Sequence, residues 1–253
     1  MKEFLKTTLA VICGILVTTV VLFFIMAGIF GSMLTLGSST PSIPKQGVLK
    51  IDMSRIVLGE QTAESDPLTS LTGSGSSTIG ILDAVRAVKL ASDDPAVQYI
   101  YLKTDMNLSE ISYLEEFRAA LSEFRVSSGK PIVSYIEAPG TGSYYLSSVA
   151  DKIYMTPYLG ATTTLSGVSS QMIFLGDLLD RLGIKVQLIR HGKYKSAGEM
   201  YTRSSSSAEN REQNQRMVDA LWETMRAEIA KGRDLSPEAV DAAINGLELN
   251  SPE

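Results

Sequence analysis

The chain has 253 residues, 44% hydrophobic and 20% charged, a composition that excludes intrinsic disorder and allows one large folded domain or two small ones. A net charge of -5 without a basic run excludes the electrostatic footprint of a nucleic-acid binder. One cysteine, Cys13, permits no internal disulfide, and one histidine, His191, without a second imidazole or thiol, supplies no protein metal site.

No charged side chain occurs from Thr7 to Ser42, and "LAVICGILVTTVVLFFIMAGIFG" exceeds the roughly 20 apolar residues needed to cross a bilayer. A cleavable signal peptide has an apolar region of only about 7 to 15 residues, so the stretch 7–36 is expected to be an uncleaved transmembrane signal anchor. Lys2, Lys6 and the amino terminus precede the span, and the next positive charge is Lys45. The positive-inside rule then keeps a tail of residues 1–6 in the cytoplasm and the body outside, which in a bacterium is the periplasmic face of the inner membrane.

Residues 37–46, "GSSTPSIPKQ", form a linker, and "GVLKIDM" from Gly47 alternates as a strand. The polar stretch 59–80, "GEQTAESDPLTSLTGSGSSTIG", predicts a loop, and it lacks the lysine and spacing of a phosphate-binding P-loop. Helical spacing of Ile79, Leu82, Val85 and Val88 is followed by the strand "VQYIYLKT". Ser112 and Glu115 have capping-box spacing before a helix that Gly129 closes, and "PIVSYI" follows as a strand.

"GSYYLSSVA" suits a short helix, "KIYMT" a strand, "MIFLGDLLDRLG" a helix ended by Gly183, and "IKVQLIR" (184–190) a further strand. Residues 208–231 contain no proline and carry Met217, Leu221, Met225 and Ile229 on one stripe, with Trp222 beside it, which predicts a long helix. "LSPEAVDAAING" adds a helix with a serine N-cap and proline at its first position. The final "NSPE" repeats that Ser-Pro-Glu opening without a helix after it, the pattern expected where a longer chain continues. Alternating strands and helices predict an α/β fold with a parallel or mixed sheet, whose ligand sites collect at the carboxyl ends of strands.

The segment "HGKYKSAGEM" follows the last predicted strand and places Lys193 and Lys195 around Tyr194. With a single histidine, a Ser/His/Asp triad has little to build on, whereas a hydroxyl activated by a neutral lysine needs neither histidine nor metal. A free lysine titrates near 10.4, so a lysine base working near pH 7 needs a drop of roughly 3 units, which burial in apolar surroundings can supply. Such a lysine must be kept from close carboxylates, and Glu199 is the acidic neighbour in sequence. Two exposed surface lysines remain the alternative on these residues alone.

The order "GSYYLSSVADKIYMTP", then "GKYKSAGE", resembles the signal peptide peptidase A (SppA) family of membrane-bound Ser/Lys peptidases, from about Gly47 to the end. The resemblance implies a ClpP/crotonase-like α/β fold behind one N-terminal transmembrane helix, with residues 47–253 as an N-terminal peptidase repeat. It further implies a serine endopeptidase, assembled as a homo-oligomer at the bilayer, that degrades remnant signal peptides without a cofactor. Lys195 occupies the family's general-base position. Short members carry a serine nucleophile where this chain has Thr141, whose β-methyl crowds its hydroxyl; Ser143 lies two residues on. Long members take the lysine from the first repeat and the serine from the second, so the resemblance implies that the nucleophile is not in this chain. The "TDMNL" stretch lacks the glycine pair of an oxyanion loop. A noncatalytic, membrane-tethered assembly module of the same fold is the alternative, because fold does not fix function.

Overall fold

Strands rich in β-branched and aromatic residues pair edge to edge in the centre of the folded body, and helices cover their apolar faces. The computed structural model describes residues 1–36, 45–63, 76–105, 107–157 and 165–246. Most of the linker 37–46, the middle of the polar stretch 59–80 and the closing "NSPE" lie outside the described residues.

The chain divides into two units, Met1–Lys45 and Gln46–Glu253. The first is built on α1 (Lys2–Leu36), which begins five residues before the predicted span. Its stretch Lys2–Ile29 contains an 18-residue window with a mean hydropathy of 2.9 and is long and apolar enough to cross a membrane. Thr18 and Thr19 donate their hydroxyls to the carbonyls of Gly14 (2.8 Å) and Ile15 (2.9 Å), so both polar groups are satisfied within the helix.

The second unit contains β1 (Gly47–Asp52), β2 (Ile56–Gly59), β3 (Ser77–Gly80), α2 (Ile81–Asp93), β4 (Val97–Lys103), α3 (Ile111–Ser128), β5 (Ile132–Ile136), α4 (Thr141–Ser147), β6 (Lys152–Met155), α5 (Gly176–Arg181), α6 (Glu199–Thr202), α7 (Ala208–Arg233) and α8 (Pro237–Asn245). Strands β1, β4, β5 and β6 form a parallel sheet in the order β1-β4-β5-β6, in register through Ile51–Leu102, Leu102–Ser134 and Ser134–Ile153. Parallel strands need long crossovers, and helices α2, α3 and α4 lie in those connections. Ile100, Leu102, Ile132, Leu121, Tyr145 and Leu146 are fully buried, each contributing about 1.5–3 kcal/mol or more by leaving water.

Several local expectations need correction. The two ends of the predicted 59–80 loop lie in β2 and β3, which pair in parallel through Leu58–Ile79, so Ile79 belongs to a strand. Helix α2 buries Ile81, Ala84, Val88 and Ala91, while Leu82 is exposed: two alanines complete the face that the larger residues define only in part. Helix α3 starts at Ile111 with Glu110 at its N-cap and no side-chain cap, because Ile111 and Leu114 are drawn onto the core; Ser112 and Glu115 are interior. Gly129 closes α3 at φ 66°, as expected. The predicted helix 172–183 is confined to α5, and 184–190 is exposed with no paired strand among the described residues. In α7 the stripe holds at Met225 and Ile229, but Met217 is exposed.

Helix α7 is fastened to the body by Arg118. Its guanidinium donates to the Tyr145 carbonyl (3.0 Å), the Glu228 carbonyl (2.7 Å), Glu228 Oε2 (3.0 Å) and Ser148 Oγ (3.1 Å), and lies 5.1 Å from the Tyr145 ring centre. Burial, then the hydrogen bond Tyr145 donates to Glu228, pushes that phenol well above the usual tyrosine range. At this joint a Cβ on Gly232 would sit 2.3 Å from the Ser148 carbonyl oxygen. Gly232→Ala gains about 1 kcal/mol of helix propensity, but overpacking a joint costs about 1–3 kcal/mol and here the obstacle is backbone. Net destabilisation is therefore expected, seen as a lower urea midpoint of the detergent-solubilised protein; a raised midpoint contradicts the close approach of α7 and the end of α4.

Candidate active site

The carboxyl ends of β4 and β5 are tied together by polar side chains. Asp105, 6% exposed, accepts hydrogen bonds from the backbone N–H groups of Glu137 (2.7 Å) and Ala138 (3.1 Å), and Lys103 pairs with Glu137 at 3.0 Å. Below them, the fully buried Ser147 hydroxyl meets those of Thr104 (2.7 Å) and Ser134 (2.8 Å). These bonds fix α4 against the strand ends, where parallel sheets place their sites.

Thr141 opens α4, and its hydroxyl is taken on both sides. Thr141 Oγ1 donates to the Ser166 carbonyl and accepts from the Ser166 N–H at 3.0 Å. A hydroxyl held by one residue's backbone in both directions is a structural link, so this geometry gives Thr141 no base to activate it. Ser143 is half-buried on the same helix. The "TDMNL" loop turns back toward β2: Asn107 Oδ1 accepts from the Ser109 N–H (3.0 Å), and Ser109 Oγ accepts from the Leu58 N–H (2.9 Å). Met106 lies outside the described residues.

Lys195 lies elsewhere in the unit, in the loop between the extended residues 184–190 and α6. It lines a cleft of about 670 Å³ with Leu188, Arg190, His191, Tyr194 and Gln213, and Thr141 is not among the lining residues. The two lysines differ in their surroundings. Lys193 Nζ sits 5.4 Å from the centre of the Tyr194 ring, a cation–π contact, whereas no hydrogen bond or ion pair to Lys195 Nζ occurs among the described residues. Lys195 is exposed, so the apolar covering expected of a lysine base is not provided by the described residues.

Glu199, four residues from Lys195, faces away from it and into the protein. Its carboxylate is 1% exposed and accepts from Ser207 Oγ (2.7 Å), the Ser207 N–H (3.0 Å), Asn210 Nδ2 (3.2 Å) and Arg190 Nη1 (3.2 Å). Burial alone would raise this carboxyl, but the hydrogen bonds from Ser207, Asn210 and Arg190 outweigh it and hold it at about 2. Arg190 Nη1 also donates to the Lys195 carbonyl at 3.2 Å. Sequence reasoning treated Glu199 as a possible partner of Lys195 and missed Arg190, Ser207 and Asn210; Ser207, directly before the predicted helix at Ala208, was the one readable as an N-cap. No group of three or more His, Cys, Asp or Glu residues able to hold a metal occurs among the described residues.

Residues 125–250 match the family described as peptidase family S49. The chain is 28% identical over 211 residues to Protease 4 of Haemophilus influenzae, covering 81% of this chain and 34% of the relative. It is 29% identical to Protease 4 of Salmonella typhi over 89% of this chain and 38% of that protein. A chloroplastic serine protease named SPPA from Arabidopsis thaliana is 33% identical over 61% of this chain and 22% of its own length. The chain thus spans about a third of the Protease 4 relatives it matches. The matched region contains the α4 motif, the Lys195 loop and α7 on a parallel α/β sheet, and residues 125–250 belong to peptidase family S49, with its ClpP/crotonase-like fold.

Proposed function

We propose that this chain is the lysine-bearing repeat of a membrane-anchored Ser/Lys endopeptidase that degrades cleaved signal peptides. The observation that carries the reading is Lys195: in a segment matched to a peptidase family, it opens into a cleft with an unpartnered ammonium, while the adjacent Lys193 rests on Tyr194 and Glu199 is occupied elsewhere. Lys195 Nζ, once neutral, takes the proton of a serine hydroxyl as that oxygen attacks a peptide carbonyl, and returns it to the leaving amine. The serine, the oxyanion donors and the apolar covering of Lys195 come from a second repeat of a longer chain or from a neighbouring subunit of a homo-oligomer. The engagement of Thr141 by Ser166 supports this division. The apolar residues Leu188 and Ile189 beside Lys195 suit a hydrophobic peptide.

A second reading, a noncatalytic tethered module, draws on the same Thr141 observation. The two separate on the lysines. In the full-length protein Lys195→Met should reduce peptide hydrolysis by about 100-fold or more through loss of the general base, and Lys193→Met should leave most of it. Equal rates for Lys195→Met and the unaltered protein would favour the module, and equal losses in the two variants would defeat the assignment of roles.

The proposed topology puts residues 1–6 in the cytoplasm and the 46–253 unit in the periplasm. Protease added to intact spheroplasts should digest the body of the protein while leaving cytoplasmic markers whole. A protected body, or a mature N-terminus beginning near Ser38, would count against the anchor.

A further inference from the structure

The loop that carries Lys195 is short of apolar support. Among the described residues, none of the buried apolar core side chains comes from 165–206. What holds this loop is a chain of polar contacts that ends on Lys195 itself. Ser207 caps the 26-residue helix α7 through its hydroxyl, which accepts from the Asn210 N–H (3.2 Å), and gives its own proton to Glu199. Glu199 holds Arg190, and one nitrogen of Arg190 bridges the Glu199 carboxylate and the Lys195 carbonyl, each at 3.2 Å. Arg190 and Lys195 flank the turn made by Gly192, which has φ 92°, and the Lys195 N–H closes that turn on the Gly192 carbonyl at 3.4 Å.

We propose that Glu199 and Arg190 are positioning residues for Lys195. The carboxylate anchors the guanidinium at the start of α7, and the guanidinium fixes the backbone of the lysine so that its ammonium projects into the cleft. This rests on the reading of Lys195 as the general base. It assigns the nearest acidic neighbour a task opposite to neutralising the lysine: Glu199 spends its acceptor capacity on Ser207, Asn210 and Arg190, and so leaves Nζ free. An ion pair with one partner 1% exposed and the other 37% exposed resists screening better than a surface pair, and a guanidinium can serve two acceptors from one planar fork.

The test uses steady-state kinetics of the full-length protein on a peptide substrate, with kcat and KM separated. A misplaced base leaves substrate binding alone and slows the chemical step, and misplacement by about 1 Å costs about 100-fold. Glu199→Gln and Arg190→Met are each expected to lower kcat by about that factor with KM unchanged. Arg190→Lys, which keeps a cation able to reach both acceptors, should recover a large part of the loss. Should Glu199→Gln fail to fold, the Arg190 pair decides, since that side chain lies at the surface of the cleft. A kcat for Arg190→Met equal to that of the unaltered protein, a rise in KM in place of the fall in kcat, or no difference between Arg190→Lys and Arg190→Met overturns the proposal. Lys195→Met serves as the control: if it retains activity, the base assignment fails, whereas its loss together with normal Arg190→Met kinetics removes only the positioning role.

Discussion

The guanidinium of Arg118 is the contact on which the arrangement of the body depends. It is nearly withdrawn from water between α3, α4 and α7, and its donors are spread over two carbonyls, one carboxylate and one hydroxyl. A buried cation is tolerated only when its hydrogen bonds are met, so the three helices must meet here in one geometry. Glu228 and Gly232, one turn apart, provide the acceptors and the room on the α7 side. Trp222 and Arg226 then carry α8 on the same helix through Asp241, at 3.1 Å and 2.5 Å.

From that joint α7 reaches outward. Ser207 and Glu228 are 21 residues apart, or about 32 Å along a helix axis rising 1.5 Å per residue. One end of α7 is thus locked into the sheet layer and the other holds the Glu199 cluster, with α5 knit to the same region by the Leu175 N–H on the Met200 carbonyl (2.7 Å). This accounts for the separation of the two sequence motifs. The α4 motif is bound to the strand ends, while the lysine motif travels with the far end of α7.

Where a residue's neighbours in sequence are also its neighbours in space, the reading from sequence held. The main strands, the left-handed Gly129 that ends α3, the serine cap of α8, and the run of the long helix were legible because backbone geometry and local capping decide them. Residues 184–190 were misread because alternation describes a pleat, whereas a strand also requires a partner to receive its backbone hydrogen bonds. Ser112 and Glu115 were misread because Ile111 packs into the core and starts the helix earlier. Lys195 became a candidate through the resemblance of its motif, since spacing alone could not tell it from Lys193. The role of Glu199 was hidden for the same reason: sequence gave its distance from Lys195 in residues, and only the fold gave its direction.

A segment held by ionic and polar contacts, with few apolar side chains beneath it, has a cheap route to opening. The 165–206 segment supplies no member of the buried apolar core among the described residues and packs against that core through Val168. Its local unfolding is therefore decoupled from global unfolding, in the manner of a separate cooperative unit. The hydrophobic term that gives protein stability its strong curvature with temperature is small there, and the ionic term that replaces it is weakened by salt when the segment loosens. Ionic strength, more than heat, is thus the solvent variable to which the lysine-bearing segment responds differently from the sheet that carries it.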